Sequence, residues 1–257
     1  MARWIDGVLG STFTRMRQIA SPIACVVVLA VFLGSCTVRE DIVLRADGSG
    51  EAVLDIDLHP ILIEYLNDLA SAMTGIEGEH PILDIVRVAE AVNERPEIEL
   101  THAEQRGRGG LRLAVSFTDI GAMFAREGAQ NVLRLETRGG QRELTVRLSR
   151  DTVHRFLEYA PEESASLIEL LLPAPDRRVS REAYRDELAW ALEEYERRSV
   201  VERVLDEAAI EIRITPVGRI VEQRGGRVVG DAVVFTIPVL ELLTLQEERV
   251  YSLVFAP

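Results

Sequence analysis

The chain has no lysine and only two cysteines among its 257 residues. All 29 basic residues are therefore arginine, which points to a GC-rich genome rather than to a function. Both cysteines, Cys25 and Cys36, lie near the N-terminus. Beyond Cys36 the chain can form no disulfide, no cysteine-ligated zinc site and no catalytic thiol.

Charge is also absent from a long segment near the N-terminus. No charged residue occurs from Gln18 to Val38, and the strongly apolar part runs from Ile19 to Leu33. Three arginines and one aspartate precede this segment, so it follows a basic region. A basic region, a short apolar segment and small residues are typical of a secretory signal peptide. A membrane-spanning helix, which needs roughly 20 apolar residues, is a competing interpretation.

The apolar segment ends in the tetrapeptide Leu33-Gly34-Ser35-Cys36. This tetrapeptide resembles the lipobox of bacterial lipoproteins, where an aliphatic residue and two small residues precede a cysteine. The resemblance covers residues 1 to about 38. It implies that a diacylglyceryl group, with acyl chains such as palmitate, alkylates the Cys36 thiol, and that a peptidase then cleaves between Ser35 and Cys36. We prefer this interpretation to a membrane-spanning anchor or a cleaved soluble protein.

Cleavage before Cys36 would leave a strongly acidic domain over residues 36–257. Removing residues 1–35 takes away three Arg and one Asp, which leaves 26 Arg against 41 acidic residues, a net charge of −15. Such a surface argues against nucleic acid and against broad adhesion to anionic lipid headgroups. Membrane attachment would then depend on the acyl chains. We expect a lipid-anchored protein of the cell membrane or outer membrane, with its domain facing the periplasm or the exterior.

The remaining chain shows pairs of strand-like segments separated by glycine-containing turns, and a helical segment follows each pair. The predicted pairs are Glu40–Ala46 with Glu51–Leu58, Ile98–Glu104 with Leu111–Phe117, Val132–Thr137 with Glu143–Leu148, and Ile210–Gln223 with Val228–Ile237. The first helix is predicted over Ile61–Met73, after Pro60. We predict an α+β fold with an antiparallel sheet, repeated β-hairpin-then-helix units, helices on one face and a final strand over Arg249–Phe255.

A helical insertion is predicted over residues 160–207, between the third and fourth pairs. Its second part has the spacing of a long amphipathic helix from Ser180 to about Glu207, with a bend near Ser199. Its first part is apolar around most of a helical circumference, because of Leu167, Ile168, Leu170, Leu171 and Leu172. Such a helix is usually buried, which we prefer. The alternative is an exposed apolar patch for acyl chains or a partner.

Two sets of polar residues are candidate binding sites. Asp55, Asp57 and His59 face one side of a predicted strand, but neighbouring side chains on that side stand roughly 6.5 to 7 Å apart, so we expect no metal there and no cofactor. Three hairpin tips carry Arg-Gly-Gly or a similar sequence, with arginines at Arg108, Arg138 and Arg224. If these tips cluster in space, their arginines can contact phosphates of the anchoring leaflet.

The sequence assigns no catalytic residue, because it contains no nucleophile-elbow, zincin or P-loop pattern. The first hundred residues also resemble uncharacterised cell-envelope lipoproteins in which a β-hairpin with a Gly-rich turn and a helix follow the cysteine closely. We therefore expect a non-enzymatic, membrane-anchored binding or structural module for a partner protein or an apolar or lipid ligand. The alternative is a hydrolase or transferase that acts on envelope polymers.

Overall fold

The structure is a computed structural model that describes residues 36–80, 82–126, 131–157, 172–174 and 177–257. Within these residues the chain forms eleven strands and seven helices, and the fold is α+β. The first elements are β1 Cys36–Leu44, β2 Gly50–Leu58, α1 Pro60–Thr74, α2 Ile85–Asn93, β3 Ile98–Arg106, β4 Gly110–Phe117, α3 Ile120–Arg126, β5 Leu133–Arg138, β6 Gln141–Leu148 and α4 Arg150–Leu157. The remaining elements are α5 Arg181–Leu192, α6 Arg198–Glu207, β7 Ala209–Pro216, β8 Arg219–Arg224, β9 Arg227–Val229, β10 Ala232–Pro238, α7 Val239–Leu243 and β11 Arg249–Ala256.

Several helices begin or end at residues whose side chains or backbone conformation cap the helix. Pro60 opens α1, and the His59 Nδ1 accepts a hydrogen bond from the Ile61 N–H at 3.4 Å. The same helix ends at Gly75, whose φ of 68° lies in the left-handed region. Asp119 accepts from the first N–H groups of α3, and Ser180 accepts from the Ala183 N–H at 3.2 Å in α5. These short polar contacts satisfy backbone donors that a helix leaves unpaired.

The strands form two sheets, one of seven strands in the order β3-β4-β2-β1-β7-β10-β9 and one of four in the order β5-β6-β11-β8. The first sheet is not wholly antiparallel as predicted, because β1 and β7 pair in parallel, with Thr37 opposite Ala209. Parallel neighbours need a long crossover between them. Here most of the chain, including α5 and α6, lies between the two strands.

The predicted strand over Ile210–Gln223 is two strands that belong to different sheets. β7 ends at Pro216 and pairs with β1 and β10, whereas β8 starts at Arg219 and pairs with β11. The Arg-Gly-Gly sequence that follows therefore does not close a hairpin between 210–223 and 228–237. Pro216 cannot donate a ladder hydrogen bond, and Gly218 has a φ of 150°, so the chain leaves the first sheet at this point.

One face of the seven-stranded sheet carries the core. From Val38 to Leu44 on β1 and throughout β2, the even-numbered residues are buried, while the odd-numbered ones are exposed or half-buried. Val38 and Ile56 pack with the helices in one core cluster. Ile42 and Leu44 pack in a second cluster with residues of the four-stranded sheet, such as Leu253. Helices such as α1, α5 and α6 thus cover one end of this face, and the four-stranded sheet covers the other end together with α3.

The helical insertion forms two helices rather than one long bent helix in its described part. α5 ends at Leu192 and α6 begins at Arg198, so the break lies slightly before the predicted bend at Ser199. Leu192 and Leu205 are buried in the helix-covered core cluster, because the break lets each helix aim its own apolar face at that core. Residues 158–171 lie outside the described part of the chain.

Candidate functional site

Cys36, the predicted lipidation residue, is the first residue of β1. It lies opposite Leu58 in the antiparallel pair with β2, and its neighbour Thr37 lies opposite both Asp57 and Ala209. Ser35 and the preceding segment lie outside the described residues. Among the residues described, no helix has the length and apolar character needed to cross a membrane. Within the described residues, paired strand structure is present from Cys36 onward.

Most of the predicted apolar patch lies outside the described residues, namely Leu167, Ile168, Leu170 and Leu171. Leu172 is described, and it is buried with 8% of its surface exposed. It belongs to the same core cluster as Val179, Tyr184 and Leu192. Leu172 is thus a core residue and does not contribute to an exposed patch.

Of the three candidate metal ligands, Asp55 and His59 make hydrogen bonds to other groups and Asp57 is exposed. The Asp55 carboxylate accepts from Arg106 of β3 at 2.8 Å and from Arg112 of β4, the strand next to β2, at 3.0 Å. His59 caps α1 through its Nδ1, and Asp57 is exposed. In the described ranges no group of three or more His, Cys, Asp or Glu residues has a geometry that could hold a metal ion.

The arginine-bearing hairpin tips do not form one cluster. Arg108 lies between β3 and β4 near one edge of the seven-stranded sheet, where it pairs with Glu79 at 3.5 Å. Arg224 ends β8, next to β9 at the opposite edge of that sheet. Five strand spacings, about 24 Å, separate β4 from β9. A shared phosphate site for these two tips is therefore excluded.

Glu40 is a buried carboxyl that the sequence analysis did not single out. It lies on the core-facing side of β1, opposite Leu54 of β2 and Ile212 of β7, and only 9% of its surface is exposed. Burial raises the pKa of Glu40 to about 7, and the negative charge of Asp41 adds to this effect. The alternation along β1 was the available signal, because it places Glu40 on the same side as Val38 and Ile42.

Three tyrosines join α1 to the insertion. The Tyr195 hydroxyl donates to the Asp68 carboxylate at 2.8 Å, and its ring meets that of Tyr65 edge-on, with centroids 6.0 Å apart. Burial raises the pKa values of Tyr65 and Tyr184. These contacts pack α1 against the insertion.

A groove of about 630 Å³ lies where the two sheets come apart. Six consecutive residues, 218–223, form one wall along β8, and Val228, Gly230 and Asp231 form the other. β8 is the edge strand of the four-stranded sheet, and β9 is the edge strand of the seven-stranded sheet. The volume lies within the range of sites that bind small molecules.

Apolar side chains are exposed in and beside this groove. Val221 is 40% exposed and Val228 is 53% exposed, and both line the groove. Val217, 51% exposed, lies next to it in the chain. Arg219, Glu222 and Asp231 add charges of both signs to the wall. The groove thus offers apolar contacts, ionic groups and strand edges together.

Reasoning from the sequence missed this groove because it treated 210–223 as one strand. The signal that could have revealed it is Pro216-Val217-Gly218, a pair of strand-breaking residues inside that segment. The splaying of β8 away from β9 also depends on β8 pairing with β11, a partner near the C-terminus. No local pattern predicts that partner.

The chain has one distant structural similarity among the comparisons with known proteins. No protein-family model matches the chain, and no curated protein matches it. Among solved structures, the chain is similar to the folded domain of the LppM protein of Mycobacterium tuberculosis, determined by NMR. The identity is 12%, the TM-score is 0.39, and the match covers 86% of this chain and 90% of that one. A similarity this distant carries no conclusion about function.

Proposed function

We propose that this chain is a lipid-anchored protein of the cell envelope whose domain is a non-enzymatic binding module, with the groove between β8 and β9 as its binding site. Residues 1–35 are the signal peptide, and residues 36–257 are the domain. The observation that carries the proposal is the groove itself, where the apolar side chains of Val221 and Val228 are exposed between two strand edges. Exposed apolar surface in a concave site is characteristic of binding sites.

A binding role fits the distribution of ionisable groups better than catalysis does. An active site gathers titratable groups with displaced pKa values in a cleft. The carboxyl with a strongly raised pKa, Glu40, lies on the core side of β1 and is not among the residues that line the groove. We therefore assign recognition to the groove and assign no catalytic residue.

The anchor is tested by replacing Cys36 with alanine in the full chain. We expect the wild-type protein to incorporate a fatty-acid probe and the Cys36→Ala variant to remain an unlabelled, larger precursor, because the thiol must be alkylated before cleavage. Cys25→Ala, which changes the other cysteine, is the matched control and is expected to keep the label. Label retained on Cys36→Ala contradicts the lipid-anchor part of the proposal.

The binding site is tested by photo-crosslinking in living cells. A crosslinking amino acid at Val221 or Val228 is expected to give a discrete adduct on the mature protein. The same residue at Val86, an exposed valine of α2 at 62% exposure, is expected to give none. Equal crosslinking at all three positions, or none at the two groove positions, contradicts binding in the groove.

A further inference from the structure

The groove lies between two strand edges that have no partner among the described residues. β8 pairs with β11 on one side, and β9 pairs with β10 on one side. Although Gly225 and Gly226 join them directly, β8 and β9 do not pair with each other. An edge strand presents unpaired N–H and C=O groups along its free side. Those groups match the backbone of another extended chain.

β8 offers the longer of the two free edges, with six residues against three in β9. Every residue from Gly218 to Gln223 lines the groove, so nearly the whole strand borders the space where another strand would lie. β9 has only three residues, but its exposed Val228 stands on the opposite wall. A strand added to β8 would lay its side chains against Val221 and Val228, and Arg219, Glu222 and Asp231 could pair with charges of either sign.

The groove also lies at the end of the domain away from Cys36. The Val217 N–H donates to the Leu44 carbonyl at 2.7 Å, so the chain enters β8 beside the last residue of β1. β1 spans nine residues, which places Leu44 about 26 Å from Cys36 along the strand. If Cys36 carries the anchor, as the proposed function states, the groove faces the aqueous compartment, which favours a polypeptide over an acyl chain of the anchoring leaflet.

We propose that the groove binds an extended segment of a partner polypeptide, which adds a strand to the free edge of β8. This proposal rests on the proposed function and names the class of ligand for the same site. The segment is recognised mainly through its backbone, and the valines on the groove walls select apolar side chains at alternate positions.

The test uses the purified full-length protein in detergent and a random peptide library displayed on phage. We expect peptides with alternating apolar residues to be enriched on the wild type and on Val86→Arg, but not on Val228→Arg, which places a large charged side chain in the groove. A synthetic copy of an enriched peptide is expected to slow amide hydrogen exchange in β8. The edge strand β3, Ile98–Arg106, is expected to exchange unchanged.

A copy of the peptide with N-methyl groups at alternate residues gives the decisive comparison. It keeps its side chains but loses backbone donors, so two or three lost hydrogen bonds are expected to weaken binding by about tenfold or more. Equal affinity of the two peptides, or protection outside β8, overturns strand addition. If mixed micelles of detergent and phosphatidylglycerol protect β8 and no peptide is enriched, strand addition fails and the groove keeps a lipid-binding role. If neither ligand protects β8, both strand addition and the proposed binding site fail.

Discussion

Glu40 shows how a single residue can depart from the pattern around it. The side chains of Val38 and Ile42 on the same side of β1 are apolar and buried, yet the position between them holds a carboxyl. A buried carboxylate is costly, and the cost appears as a pKa of about 7 rather than 4.5. A neutral carboxyl is tolerated there, but a charged one disfavours the folded state.

The stability of the domain is therefore expected to fall with rising pH because of Glu40. The pKa is raised in the folded state, so the folded protein binds the proton more tightly than the unfolded chain. The contribution of protonated Glu40 to the free energy of unfolding is fully present below about pH 4.5. It is lost as the pH rises through about 7, and the free energy of unfolding then falls by about 3 kcal/mol in all. Urea denaturation of wild type and Glu40→Gln from pH 4 to pH 8 measures it.

The Glu40→Gln variant should lose this pH dependence, because its amide does not titrate. Glu51→Gln on β2, which changes an exposed carboxyl, is the control and is expected to keep the wild-type profile. Parallel pH profiles for wild type and Glu40→Gln would contradict the assignment of the buried carboxyl as the source of the effect.

At the level of elements, the passage from β7 to β8 determines the shape of the groove. Gly218 lies at this passage with a φ of 150°, and a Cβ added there would overlap the Ala256 carbonyl oxygen of β11. Only a residue without a side chain lets β8 leave the first sheet and pair with β11 in the second. The groove exists because the chain changes sheets here.

Gly218→Ala is thus expected to destabilise the domain more than an ordinary turn glycine does. Gly139 also has a positive φ, 57°, but an added Cβ there would meet nothing within 4 Å, so Gly139→Ala should cost about 1 kcal/mol from backbone strain alone. Gly218→Ala adds a clash with backbone and should cost clearly more. Thermal denaturation of both variants measures the difference, and equal losses would contradict a close approach of β8 and β11.

At the scale of the whole molecule, no covalent or metal crosslink is expected to support the fold. The sequence has no cysteine after Cys36, and the Asp55 carboxylate is occupied by Arg106 and Arg112. Stability must then come from the two core clusters that lie over one face of the seven-stranded sheet.

The melting temperature of the domain, expressed from Thr37, is therefore expected to be the same with and without EDTA, and with and without a thiol reductant. A metal bound only by the folded state would raise the melting temperature, and its removal would lower it. A drop of several degrees in EDTA, absent when zinc is restored, would contradict this and would return Asp55, Asp57 and His59 to consideration.

Local patterns were enough to predict the α+β class and many of the elements. Alternating residues indicated β1 to β6, and the helix predicted over Ile61–Met73 lies within a residue of α1 at each end. The lipobox-like pattern Leu33-Gly34-Ser35-Cys36 also depends only on neighbouring residues. It stays a prediction, since no structural observation tests it.

The arrangement of the strands was decided only in three dimensions. The parallel pairing of β1 with β7 and the pairing of β8 with β11 join segments far apart in sequence, and no local periodicity encodes which distant edges meet. The same holds for the burial of Glu40, which depends on the layers packed over β1. By itself the sequence determined many of the elements, the acidic charge and the position of Cys36. Tertiary packing decided which strand edges stayed free, and so where the groove lies.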